Sequence, residues 1–323
     1  MRKLSKAFPI LAVLAALAAS AQPNYQVGPL LFAISNRGAV RISGEGFNLG
    51  TGSLMSWGPG WQWVDSCSWQ DSWSLVSGPT GSEVEYEVEC YAKCAFAEFR
   101  PKVKYWVGAN ATLLEVNLTV VSDSSFAGMA WTLQIPIERF AGKTIYAIKA
   151  DGSLVPLKLR EQHVPGQASL FSTDNAVGWL IPATNETGLV IAVASDLWPQ
   201  GIMISVDDER EWAGGTYALR NWLSQQFQLP ANQRLRFLVY FVPYSGDPQP
   251  AVQKAVEVSQ ALAKGSTLDE VKAAVIGELG VEEARAARVS PTALYAPYAV
   301  LAAAAVAAVA VVYTFMRRRT RSS

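Results

Sequence analysis

The sequence predicts a mainly β protein, an antiparallel β-sandwich followed by short α-helices and one transmembrane helix. Between residues 24 and 246, short runs of alternating apolar and polar residues are broken by Gly, Pro, Asn and Ser, as half-buried strands are. After Tyr244 the apolar period becomes that of amphipathic helices. Farther on, the 24 residues from Ala293 to Met316 carry no charge and run directly into Arg317, Arg318 and Arg319.

Residues 1–21 read as a secretory signal: Arg2, Lys3 and Lys6, then apolar Phe8–Ala19, then Ala19-Ser20-Ala21 as a small-x-small cleavage site. The mature chain is then expected to begin near Gln22, with residues 22–246 as an extracellular β-sandwich domain. Leu30–Ser35, Asn36-Arg37-Gly38 and Ala39–Ser43 form a hairpin pattern. Val84, Tyr86, Val88 and Cys90 share one face opposite Glu83, Glu85, Glu87 and Glu89, but Phe99, Val103, Tyr105 and Val107 continue the apolar set on odd positions. A turn or bulge must separate the two phases. Thr112–Val121 alternates cleanly, with Leu114, Val116, Leu118 and Val120 on a dry face and Glu115, Asn117 and Thr119 on a wet one. Further strands are expected at 131–135, 144–150, 188–194, 201–206, 225–229 and 235–242.

Cys67, Cys90 and Cys94 are the only cysteines, and a secreted domain can oxidise them. A reversal at Tyr91-Ala92-Lys93 would let Cys90 bond Cys94; a strand continuing through that stretch would keep them apart and make Cys67 the partner.

Asp247-Pro248 opens a helix with the stripe Val252, Ala255, Val256 and Leu262, stopped by Gly265. Thr267–Glu270 is a capping box for a second, with Leu268, Val271, Val275 and Leu279 as its stripe. Residues 247–291 thus form a helical spacer or stalk. Residues 292–316 reach about 36 Å as a helix, enough to cross a bilayer. The basic 317–323 tail belongs on the cytoplasmic side, with Tyr295, Tyr298 and Tyr313 as interfacial anchors. The same tripartite pattern suits a sorting tail whose span a protease removes.

The 27 basic and 27 acidic residues balance only because seven basic ones lie in the two termini; the remainder is acidic by 7, which argues against nucleic acid as a partner. There is no P-loop, no dinucleotide fingerprint and no Gly-x-Ser-x-Gly, so no cofactor is expected. One histidine and three cysteines make a metal site improbable.

Trp57–Trp73 (WGPGWQWVDSCSWQDSW) holds five of the eleven tryptophans. Trp57, Trp61, Trp63, Trp69 and Trp73, with Asp65 and Asp71 among them, suit sugar rings, which present C–H faces rimmed by hydroxyls. The bland reading points Trp61 and Trp63 into one core face while the other tryptophans cover a loop. His163, Asp207, Glu209 and Glu211 are candidate acid and base groups, although carboxylates adjacent on a turn rarely converge and a solvated hairpin tip is the simpler expectation. Asn110, Asn117 and Asn185 begin Asn-x-Thr glycosylation sequons.

Residues 112–146 (TLLEVNLTVVSDSSFAGMAWTLQIPIERFAGKTIY) resemble the central strands of galactose mutarotase-like supersandwich proteins. There an alternating strand ending in a polar turn precedes one closing in Ile-Pro. Ile34–Gly46 (ISNRGAVRISGEG) is similar to their first strands. The resemblance implies a supersandwich fold and a carbohydrate epimerase, hydrolase, lyase or binding domain. Mutarotases use histidine and carboxylate partners, and with His163 alone that constellation does not carry over. Two readings follow: a cell-surface β-domain, anchored by one span, that binds or processes glycan, or a non-enzymatic structural or adhesive envelope protein.

Overall fold

In the computed structural model, residues 24–35, 38–63, 72–77, 85–94 and 96–279 are described. Strands β1 (Asn24–Val27), β2 (Leu30–Ile34), β3 (Val40–Gly44) and β4 (Phe47–Gly58) come first, then short β5 (Gln62–Trp63) and β6 (Ser72–Ser77). They are followed by β7 (Glu85–Cys94), β8 (Ala97–Val107), β9 (Thr112–Ser122), β10 (Ser124–Pro136) and one helical turn, α1 (Ile137–Phe140). Next are β11 (Thr144–Lys149), β12 (Leu154–Lys158), β13 (Ser169–Pro182), β14 (Thr187–Ser195), β15 (Ile202–Asp208), β16 (Thr216–Leu229) and β17 (Arg234–Ser245). Helices α2 (Gln249–Ala263) and α3 (Leu268–Glu278) close the described part. Residues 1–21, 292–316 and 317–323, expected to be a signal peptide, a membrane span and a basic tail, lie outside the described residues. Among those described, no helix is long and apolar enough to cross a membrane.

The protein is mainly β and its ladders are antiparallel, as the alternation predicts. Strand β13 organises them, because its two halves serve different neighbours. Ser169–Ala176 pairs with β15, whereas the stretch through Pro182 pairs with β14 on one side and β11 on the other. A first layer therefore runs β2-β3-β4-β10-β16-β15 to the first half of β13. A second runs from its other half through β14, β17, β9, β8 and β7 to β6. Gly178 lies at the changeover, where a Cβ would collide with the Ile191 carbonyl.

Between the layers lies the main core. Trp131 of the first layer meets Phe241 of the second edge to face at 5.4 Å, and Phe32 meets the same ring at 5.7 Å. A second core lies on the other side of the second layer. Inward Leu189, Ile191 and Val193 of β14 alternate with outward Val190, Ala192 and Ala194, and the outward set packs under α2. Near-continuous apolar runs of this kind need cover on both faces, and the two helices supply one of the covers. Their stripes are as expected: Val252, Ala255, Val256 and Leu262, then Leu268, Val271, Val275 and Leu279, are buried. The Thr267–Glu270 capping box forms in both directions, and Asp247 accepts from the Gln249 N–H.

The change of phase after Cys90 has a simple cause. β7 continues unbroken to Cys94 and the chain reverses just beyond it, so the core set becomes Phe99, Val103, Tyr105 and Val107. A continuous strand through 91–93 removes the reversal that would have set Cys90 against Cys94; Cys67 lies outside the described residues. The wet face of β9 is less wet than its sequence suggests, since Arg236 of β17 donates to Glu115 at 2.8 Å and to Asp269 of α3 at 2.7 Å. Strand 225–229 is only the tail of β16, and β13 escapes the alternation pattern because it changes layer midway.

Trp131→Ala should lower unfolding free energy by about 3–5 kcal/mol, the usual cost of truncating a buried aromatic. Denaturant titration at equilibrium measures it, and a loss below 1 kcal/mol would mean that this ring does not bridge the layers.

Candidate functional site

The face of the first layer turned away from the core gathers the polar and aromatic residues. Along β16, Tyr217, Leu219 and Leu223 enter the core, so Ala218, Arg220 and Trp222 point the other way. Register then fixes their neighbours. Arg220 lies between Ser205 of β15 and Thr132 of β10, Ala218 between Asp207 and Gln134, and Trp222 between Met203 and Ala130. Strand β4 adds Thr51, Met55 and Trp57 beyond β10.

Arg220 is the centre of this face. Its side chain is only 7% exposed, and its Nε donates to Asp207 Oδ2 at 2.7 Å. The guanidinium carbon stands 4.6 Å from the Trp57 ring centre and 6.0 Å from that of Trp222, within cation–π range. Glu209 Oε1 is 4.0 Å from Nη2, and the other oxygen of Glu209 accepts from Gln134 at 2.8 Å and from Thr216. Trp222 Nε1 donates to Ser205 Oγ at 2.9 Å. Thr132, opposite Arg220, keeps a buried hydroxyl without a hydrogen-bond partner.

Three indoles meet here. Trp57 and Trp222 are 5.2 Å apart, and Trp61 stands 6.5 Å from the first and 5.8 Å, edge to face, from the second. Trp57 and Trp222 are buried, whereas Trp61 is 46% exposed. The Gly-Pro-Gly turn presents it: Gly60 and Trp61 have φ of 75° and 61°, a left-handed corner that glycine eases. Gly128 makes room underneath, since a Cβ there would stand 2.7 Å from the Trp222 ring and 3.1 Å from that of Trp61.

The face thus unites Trp57 and Trp61 with Asp207 and Glu209, two groups of candidates about 150 residues apart in the chain. Arg220, Trp222 and Gln134 were not anticipated. The signal for Arg220 and Trp222 lay in Tyr217–Leu223 (YALRNWL), ahead of the strand expected at 225–229, whereas Gln134 lies within the strand expected at 131–135. Trp63 stands opposite Trp57 in the β4–β5 ladder and Trp73 opposite Cys90 in β6–β7. Asp65, Trp69 and Asp71 lie outside the described residues.

His163 and Glu211 belong to a different cluster. His163 Nε2 is 3.4 Å from Glu211 and Nδ1 is 3.9 Å from Asp208. Arg210 donates to both oxygens of Asp208, at 2.9 and 2.7 Å, and to the carbonyls of Arg160 and Glu161. Glu211 accepts from the Gly166 N–H at 2.9 Å. This cluster clasps the turn Glu209–Trp212 to the 160–166 loop, and so holds Glu209 over the sheet. The expected solvated tip is therefore wrong for Asp208, which is fully buried, and for Asp207, which is paired with Arg220. Burial pushes the Asp208 carboxyl upward, but hydrogen bonds from Arg210 outweigh it and hold the group below the usual carboxylate range.

Among the described residues no three His, Cys, Asp or Glu side chains are grouped to hold a metal ion. Asn110 and Asn185 lie exposed, whereas Asn117 is half-buried in mid-sheet between Lys102 and Arg236.

No protein-family model matches this chain, and no curated protein matches it. Several similar solved structures are galactose mutarotase-like or aldose 1-epimerase proteins. One is a putative aldose 1-epimerase from Escherichia coli K12, 11% identical, with 69% of this chain and 99% of that one covered at a TM-score of 0.45. Another is a galactose mutarotase-like protein from Lactobacillus casei, 8% identical, covering 69% and 100% at 0.46. An α-N-acetylgalactosaminidase from Bifidobacterium bifidum is 8% identical, with 75% of this chain but 39% of the enzyme covered, at 0.47. At such identity no residue correspondence carries across, so the chemistry is read from this chain's own side chains.

Because Asp208 has a lowered value in the fold, its contribution is complete above the ordinary carboxylate pKa of about 3.9 and is lost as pH falls through the folded value. The melting temperature of Asp208→Asn should lie below that of the parent near neutrality and converge with it in acid. Thermal scans from about pH 7 to about pH 2 test this; a constant gap would remove Asp208 from the clasp.

Proposed function

We propose that the protein is a cell-surface β-domain that binds glycan on the outer face of its first layer, held to the membrane by residues 292–316. The observation that carries this reading is the convergence of Trp57, Trp61 and Trp222 on Arg220, Asp207 and Glu209, with the Trp61 ring left half exposed. An indole face takes the C–H side of a pyranose, and the partly exposed carboxylates of Asp207 and Glu209 offer acceptors to its hydroxyls.

Binding is favoured over hydrolysis. Asp207 is engaged by Arg220, and Glu209 by Gln134 and Thr216, so neither carboxylate is placed as an uncommitted acid or base. The burial of Trp57 and Trp222 favours the structural alternative for those two rings, which makes Trp61 the residue that separates the readings.

On a glycan array, Trp61→Ala should lose retention while the melting temperature stays within about 2 °C of the parent, because an exposed side chain adds little to the core. Trp57→Ala should lower stability. A parent that retains no glycan would leave only the structural reading. For the anchor, the full chain should partition with membranes, and its recovery from the aqueous fraction would overturn that assignment.

A further inference from the structure

The charges of the outer face divide into one that is sealed in and two that a ligand can touch. The outward residues of β4, β10, β15 and β16 include two charged ones, Arg220 and Asp207, and the turn after β15 adds Glu209. The Arg220 side chain is 7% exposed, against 17% for Asp207 and 14% for Glu209. Arg220 is also spent, because its Nε donates to Asp207 Oδ2 and the Trp57 ring covers its guanidinium.

Each carboxylate is only half used. Asp207 Oδ2 takes the Arg220 bond, and among the described residues Oδ1 takes none. Glu209 Oε2 accepts from Gln134 and Thr216, whereas Oε1 has only Arg220 Nη2 at 4.0 Å, beyond hydrogen-bond distance. Arg220 therefore answers Asp207 directly and leaves Glu209 as the charge without a hydrogen-bonded cation. The next cation in the same row is the exposed Arg41 of β3, beyond Thr51 and two strands from Gln134, about 10 Å at the usual strand spacing. At that distance physiological salt screens exposed charges. What a ligand meets beside Gln134 is a pair of acceptors with one negative charge in excess.

Sugar substituents respond to such a pair in different ways. A hydroxyl gives a carboxylate one hydrogen; an ammonium gives up to three and brings the missing charge; a uronate carboxylate gives none and is repelled. We infer that the ligand of this face is an amino sugar whose free ammonium is held by Glu209 and Asp207, and that acidic sugars are excluded. The inference rests on the glycan reading above and specifies the class of sugar.

The test is calorimetric titration of the purified full chain with disaccharides and trisaccharides of glucosamine and galactosamine, their N-acetylated forms, the neutral gluco and galacto counterparts, and oligogalacturonate. At least one free-amine sugar should bind about tenfold or more tightly than its N-acetylated and neutral counterparts, and that margin should shrink as salt rises from ~0.02 to ~0.5 M. Glu209→Gln keeps an amide oxygen for Gln134 and Thr216, and should cut the margin to about threefold or less at an unchanged melting temperature. Should that variant melt early, the salt dependence of the parent decides. Equal affinity for a free amine and its N-acetylated form, a margin indifferent to salt or to Glu209→Gln in a folded variant, or binding of oligogalacturonate overturns the inference and leaves glycan binding standing. So does array retention of other glycans with no free-amine sugar bound. Failure to bind any sugar, on the array or in titration, overturns the glycan reading itself.

Discussion

The register of β16 between β10 and β15 is the constraint on which the rest depends. Side chains alternate across a strand, so pairing Leu219 with Leu133 and Val206 commits one set to the core and leaves the other on the outer face. A slip of one residue would drive Arg220 and Trp222 between the layers and turn Tyr217 and Leu219 outward. The inward set resists such a slip, because Tyr217, Leu219 and Leu223 bury their apolar surface in the core and the buried Asn221 among them donates to the Trp131 carbonyl. The same alternation lines up Ala218, Arg220 and Trp222 as the floor of the candidate site, without any loop having to place them.

A buried guanidinium is expensive unless it is paired, and the surroundings of Arg220 meet that demand in two ways. Asp207 supplies a hydrogen-bonded counter-charge at 2.7 Å, and the Trp57 ring covers one side of the guanidinium. Glu209 is brought close by a different device. It sits in a short turn that Arg210, Asp208, Glu211 and His163 fasten to the 160–166 loop, so a charge cluster outside the face determines the position of a carboxylate on it. Asp208 and Glu209 are neighbours in sequence with opposite duties, one internal to the clasp and the other presented to the sheet.

The second layer answers a different demand. Its strands β14 and β17 are apolar on both faces, which leaves the side away from the main core needing cover. Helices α2 and α3 provide it, and α3 is fastened to the sheet by Arg236 binding Asp269 and by Lys272 binding Glu115, while Lys272 also binds Asp269 within the helix. Hydrogen bonds from those two cations hold the Asp269 carboxyl well below the usual range, so the fastening is ionised at neutral pH. The layers therefore divide their roles: one carries helices on its outer face, and the other keeps that face for polar and aromatic side chains.

How much of this was legible in the sequence follows from how local each signal is. The β class, the β2–β3 hairpin, the alternation of β9, the turn between β7 and β8, and both helices with their stripes and stops were readable. Each is written in side-chain periods of a few residues. Trp57 and Trp61 were recognisable as a cluster, and Asp207 and Glu209 as an acidic group. Their meeting was not, nor was Arg220 as the residue between them, because that depends on β4, β10, β16 and β15 pairing side by side across more than 150 residues of chain. Likewise, no period in Ser169–Pro182 announces a strand that leaves one layer for the other. The sequence by itself determined which residues seek the core and where the chain turns, since hydrophobic alternation and capping act over short distances. Only the tertiary structure decided which polar residues share a face, since strand order and register are set by the packing of the two layers as a whole.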